Sequence, residues 1–164
     1  MNADTITAAS AVVIALGALA VSIVQTRATM VHNRQSVRPL LQLRRVREYD
    51  GPEAGLKITN SGLGPAVITK CVVVLDGRAI GPWDRKTVRS ITDGLPEWPH
   101  INTLTEGAIL SAGYRSYLIH LDFYDRKKHE WFWDLIAKRL EIAVYYQSIY
   151  GDEEYLATIR PHSA

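Results

Sequence analysis

The chain has 164 residues, 47% hydrophobic and 22% charged, with a formal net charge of +2. That length suits one domain plus a short extra segment, and so small a net charge excludes a broadly basic nucleic-acid binder or an acidic tail. Its single cysteine, Cys71, excludes an intrachain disulfide framework and agrees with a reducing compartment.

Charge is distributed unevenly along the chain. Residues 5–26 carry none, and residues 27–47 hold Arg27, Arg34, Arg38, Arg44, Arg45 and Arg47 with no acid. From residue 48 onward, 13 Lys and Arg stand against 16 Asp and Glu, a net of −3. The uncharged run is 22 residues long and mostly Ala, Val, Ile and Leu. A helix needs roughly 20 apolar residues to cross a bilayer. In lipid, a helix is the one single-pass structure that satisfies its own backbone. Residues 1–36 are therefore expected to form an N-terminal transmembrane anchor with its juxtamembrane segment. The alternatives are a cleaved signal peptide, disfavoured by the acidic start Met-Asn-Ala-Asp, and a core helix, disfavoured by apolarity on every side.

Basic residues flanking a span stay in the cytoplasm. The expected topology is N-terminus outside and domain inside, in a bacterial inner membrane. Within the anchor, Ala11, Ala15, Ala18 and Ser22 recur at helical spacing beside Gly17. Small residues on one face let two helices approach closely in lipid, so this face is the expected site of homo-oligomerisation.

The soluble part, residues 37–164, changes period. Leu41, Leu43 and Val46 alternate with arginines across residues 38–49, a strand pattern closed by a turn at Gly51-Pro52. Residues 56–59 form a short strand. Residues 60–65, Asn-Ser-Gly-Leu-Gly-Pro, form a loop in which Gly62 or Gly64 is expected at positive φ. Residues 66–75 are β-branched, and Asp76-Gly77 is a hairpin turn into residues 78–80. Residues 81–104 show no clear period beyond one short helix near 86–91. Two strands follow at 108–110 and 115–121, around Ser111-Ala-Gly113. Residues 125–138 read as a helix, with Trp131 and Leu135, and Phe132 and Ile136, four apart on one side. A terminal hairpin, 140–149 and 154–159, turns at Gly151-Asp152. About seven short antiparallel strands with one or two short helices suggest an immunoglobulin-like β-sandwich.

Three segments carry a resemblance. His32-Asn-Arg-Gln-Ser-Val-Arg-Pro39 resembles the juxtamembrane segment of small bacterial single-pass membrane proteins that have not been characterised, and Tyr146-Gln-Ser-Ile-Tyr-Gly151 is similar to a segment of the same group. Asn60-Ser-Gly-Leu-Gly-Pro-Ala66 is similar to the strand-turn-strand of bacterial immunoglobulin-like adhesion and scaffold domains. The resemblance implies the architecture and no activity.

The search for catalytic chemistry is negative. His129-Glu130 begins like a zinc-protease helix, but position 133 is Trp rather than His. His32, His100, His120 and His162 are scattered and read as surface or capping residues. Cys71 lies in an apolar run and reads as a buried thiol. Asp122 with Asp125, and Asp152 with Glu153 and Glu154, read as solvated turn acids. No phosphate-binding glycine loop, nucleophile elbow or Cys-x-x-Cys occurs, so neither an enzyme nor a cofactor or metal site is expected. Two clusters are candidate ligand or lipid contacts. Arg44, Arg45 and Arg47 follow the anchor, where basic residues near anionic lipid contribute about 1 kcal/mol each. Arg126, Lys127 and Lys128 lead into Trp131 and Trp133, a mixture suited to an interfacial helix or to a nucleotide or single strand; a core helix covering one face of the sandwich is the plainer reading. The expected function is a non-enzymatic membrane protein whose cytoplasmic domain binds a protein partner or ligand. The alternative is an oligomeric pore-forming effector of a bacterial antiviral system, gated by a nucleotide or oligonucleotide.

Overall fold

Clustered β-branched residues between Gly- and Asp-containing turns favour strands over helices. The computed structural model is accordingly mainly β from residue 41 onward, and it describes residues 3–47, 52–151 and 153–161. The chain divides into two compact units, residues 1–36 and 37–164.

The first unit is helix α1, Ala3–Ser36. At about 1.5 Å per residue its 34 residues extend about 50 Å. Ser10–His32 has a mean hydropathy of 1.8, none of it is buried, and by length and composition it can cross a membrane. The helix runs ten residues past the uncharged stretch. In its C-terminal half the Thr26 and Thr29 hydroxyls donate to the carbonyls of Ser22 and Gln25, so these polar groups are satisfied within the helix.

Among its described residues the second unit has nine strands, against about seven expected: β1 Leu41–Arg47, β2 Ala54–Asn60, β3 Ala66–Leu75, β4 Arg78–Gly81, β5 His100–Ile101, β6 Ile109–Leu110, β7 Arg115–Leu121, β8 Leu140–Ser148 and β9 Glu154–Ile159. They form two antiparallel sheets, β1-β2-β7-β5 and β4-β3-β8-β9, with β6 added to β3. The strand not expected is β5, hidden in the aperiodic stretch, whereas the strand expected at 108–110 is the brief β6. Helix α2, Arg85–Thr92, starts with Asp84, whose carboxylate accepts from the Thr87 N–H at 2.8 Å. That bond satisfies a free helix N–H and holds the Asp84 carboxyl below its usual range.

One hydrophobic core joins both sheets: Leu56 and Ile58 from β2, Ile68 and Val73 from β3, Ile142 and Val144 from β8, with Trp83 and Phe132 fully buried. In β3 the inward positions run Ala66, Ile68, then Cys71 and Val73, because a register shift between Ile68 and Lys70 moves the alternation by one.

Two expectations are corrected. The helix expected over 125–138 is shorter: α3 covers Glu130–Asp134 and passes into a π-type turn, Leu135–Arg139. Residues 125–128 instead form a turn, in which the Asp125 carboxylate accepts the N–H groups of Lys127 and Lys128. Neither Gly62 nor Gly64 has a positive φ. They are glycine because the chain passes against them: a Cβ at Gly62 would strike the backbone of Arg38 and Leu40, and one at Gly64 the Val37 carbonyl. Asp76 and Gly77 do take φ of 51° and 77°, as a tight hairpin turn requires. Tyr49, Gly51, Asp152 and His162 lie outside the described residues.

The loop at 60–65 is organised by Asn60, which is fully buried. Its amide nitrogen donates to the carbonyls of Gly64, Leu110 and Ser111 at 2.9–3.1 Å. Its amide oxygen accepts from the N–H groups of Leu40 and Gly62. One side chain thereby ties together the entry to β1, the loop and the end of β6.

Candidate functional site

The arginines of β1 have three separate environments. Arg45 alternates inward with Leu41 and Leu43, and its guanidinium donates to the carbonyls of Ile136, Leu140 and Arg160. Its charge therefore serves the end of the π-type turn, and burial lowers its pKa. Arg47 lies over the Trp133 ring, 4.7 Å from its centroid. Arg44 remains exposed, directly opposite Lys57 on β2.

The second cluster also divides. Arg126, Lys127 and Lys128 are exposed, whereas Trp131 and Trp133 are half-buried and pack against the core. The structure thus joins one residue of each cluster, Arg47 and Trp133, in a cation–π contact of about 0.5–2 kcal/mol. Trp131 and Trp133 do not form an exposed aromatic face. The exposed aromatic of this region is Phe123, 80% accessible. Ala11, Ala15, Ala18 and Ser22 are all exposed on α1, along one helical stripe.

Strand pairing assembles histidines that looked scattered. His100 and His120 are direct partners across β5 and β7, with rings stacked at 5.2 Å. Their Nε2 atoms each lie 3.0 Å from one oxygen of Asp122. Tyr117 stacks on the other side of His120 at 4.7 Å, with the Lys57 ammonium 4.9 Å from the Tyr117 ring centre. His129 is buried at the start of α3. Its Nδ1 accepts from the Asp125 N–H, so its proton sits on Nε2, 3.2 Å from Glu97. Among the described residues no group of three or more His, Cys, Asp or Glu is arranged to hold a metal ion. Cys71 is buried, and burial pushes its thiol up to about 11, which leaves it protonated at neutral pH.

An open groove of about 840 Å³ lies between α2 and the strands β5 and β7. Arg85 and Arg89, four apart on α2, stand on one side; Trp98, Asn102, Tyr114 and Ser116 contribute to the rest, and no carboxylate lines it. Neither arginine pairs with an acid among the described residues. Trp98 is 60% exposed yet held on both flanks. Before it Glu97 meets His129, and after it Pro99 is buried and His100 pairs with β7. Asn102 is fixed through its amide nitrogen, which donates to Ser116 Oγ and the Tyr117 carbonyl, and through its backbone carbonyl, which accepts from the buried Trp83 indole. Little in the sequence marked this site. Its residues come from the aperiodic stretch and from β7, and only the i, i+4 spacing of Arg85 and Arg89 was available as a signal.

No protein-family model matches the chain, and no curated protein matches it in sequence.

Proposed function

We propose that this is a non-enzymatic, single-pass membrane protein of the bacterial inner membrane, with its N-terminus outside and its β domain in the cytoplasm as a binding module. The observation that carries the reading is the apolar segment Ser10–His32, 23 residues with no buried side chain. A core helix of that length would be covered by its own protein, so a lipid environment accounts for the exposed apolar surface. The arginines that follow it favour the cytoplasmic orientation.

The strand order supports an immunoglobulin-like sandwich for the module. With β1, β2, β3, β4, β5, β7, β8 and β9 taken as A, B, C, C′, D, E, F and G, the sheets read A-B-E-D and C′-C-F-G. The resemblance to bacterial immunoglobulin-like and single-pass membrane proteins belongs to the same reading. Such domains bind through surfaces rather than through a fixed chemistry. The occupant is a protein partner or a ligand, and the stripe Ala11, Ala15, Ala18 and Ser22 brings copies together in the membrane. The second reading, a pore-forming antiviral effector assembled from these helices, is favoured by the groove with its two uncommitted arginines, which would suit a nucleotide signal.

The test is crosslinking in native membranes, with reporters fused after Ala164. A cytoplasmic reporter should be active and a periplasmic phosphatase silent; robust phosphatase activity overturns the orientation. Ala15→Leu with Ala18→Leu should abolish the crosslinked oligomer while membrane insertion is kept. A wild type that stays monomeric at all expression levels eliminates the self-association and the pore.

A further inference from the structure

We infer that the groove beside α2 binds a small phosphorylated ligand bearing an aromatic ring, of mononucleotide class; this rests on the reading of the β domain as a binding module. Three features converge on that chemistry. The first is charge. Arg85 and Arg89 lie on one face of α2, one turn apart, and the groove contains no carboxylate to neutralise them. Two adjacent guanidiniums without a protein acid repel one another, and a phosphate relieves this by bridging them with paired N–H···O bonds.

The second feature is Trp98. A large aromatic ring left 60% exposed costs hydration free energy. On a loose loop it would fold back onto the surface. Here it is pinned on both sides, by Glu97 on His129 and by the His100–His120 pairing. An indole held open beside two cations is a stacking surface for a planar ring, and base–aromatic stacking tolerates any base.

The third feature is polarity on the opposite wall. Both donor positions of the Asn102 amide are taken, by Ser116 and the Tyr117 carbonyl, whereas its Oδ1 accepts no hydrogen bond among the described residues. A fixed carbonyl oxygen in the groove selects a ligand that donates there, such as a ring amine or a sugar hydroxyl. The volume, about 840 Å³, lies within the usual range for small-ligand sites. The ring, the phosphate and the donor therefore each have a distinct receptor in the same cavity.

The experiment uses the full chain in nanodiscs, titrated with AMP, GMP, CMP and UMP, with adenosine and inorganic phosphate as separate arms. Calorimetry measures affinity, and tryptophan fluorescence, compared with Trp98→Phe, reports stacking. At least one mononucleotide should bind, quench fluorescence in the wild type but not in Trp98→Phe, and bind at least tenfold more tightly than adenosine or phosphate alone. Arg85→Gln with Arg89→Gln should weaken it at least tenfold at an unchanged melting temperature, and the single Arg89→Gln should weaken it by less. No binding by any mononucleotide at millimolar concentration overturns the inference. So does phosphate binding as tightly as the nucleotides, or nucleotide binding indifferent to both arginine variants. Membrane fractionation of the same preparation separates the two claims. A chain that partitions with the membrane but binds no nucleotide refutes only the groove's ligand, whereas one recovered without detergent refutes the membrane reading itself.

Discussion

The loop at residues 60–65 and the groove beside α2 are both built from polar side chains, and they use them in opposite ways. In the loop, Asn60 makes five hydrogen bonds to backbone groups, so every polar atom of its amide is committed inside the fold. In the groove, Arg85 and Arg89 meet no acid among the described residues, and Asn102 keeps one acceptor open. Arg45 belongs with Asn60, because its guanidinium is committed to three carbonyls. Residue type alone therefore does not separate a structural polar group from a ligand-facing one. The number of internal partners does.

The strongest challenge to that distinction is Asn60→Asp. The carboxylate keeps the shape but cannot donate to three carbonyls, and it places a charge where water is excluded. Stability of the full chain should fall by more than about 3 kcal/mol in denaturant unfolding. A loss below about 1 kcal/mol would mean that the loop does not depend on Asn60. Arg45→Gln should cost about 1–3 kcal/mol by leaving carbonyls of the π-type turn and of Arg160 unsatisfied. A neutral result would move Arg45 into the ligand-facing class.

Cys71 sharpens the comparison through pH. Its folded pKa, about 11, lies above the ordinary value of 9.0, so the folded state holds the proton more tightly than the unfolded chain. The associated stability is complete below pH 9 and is lost as pH rises toward 11, by about 2–3 kcal/mol in all. Unfolding measured across this window should fall more steeply for the wild type than for Cys71→Ala, and equal slopes would remove Cys71 from the committed groups. The smallest effect should come from Arg85→Gln with Arg89→Gln, which should change stability by no more than about 0.5 kcal/mol. A larger loss would show that the groove arginines have internal work after all.

Legibility in the sequence followed how local each determinant was. The Asp76-Gly77 hairpin, the long strands β3 and β8 and helix α2 were readable because turn chemistry and periodicity lie within a few neighbouring residues. Strand β5 was not, since two residues after Pro96 and Pro99 become a strand only by pairing with β7. The same pairing unites His100 with His120 across twenty positions and builds one wall of the groove. Gly62 and Gly64 were recognised as special for the wrong reason, because the chain that crowds them, residues 37–40, is adjacent only in the fold. Trp131 and Trp133 read in sequence either as a binding face or, more plainly, as part of a core helix, and the structure packs them against the core.

The strand order has a consequence for solubility. An unpaired strand edge is a template on which a second chain can add a strand. The two long outer strands, β1 and β9, lie against each other, with Arg45 donating to the Arg160 carbonyl and Arg38 over the Tyr155 ring. The other outer strands, β4 and β5, have only four and two residues. On the proposed reading of α1 as an anchor, copies confined to a membrane plane would meet at high local density, where edge-to-edge templating would be hardest to avoid. Here each outer strand is either guarded by a neighbour or too short to nucleate a cross-β contact, so crowding of copies need not become aggregation.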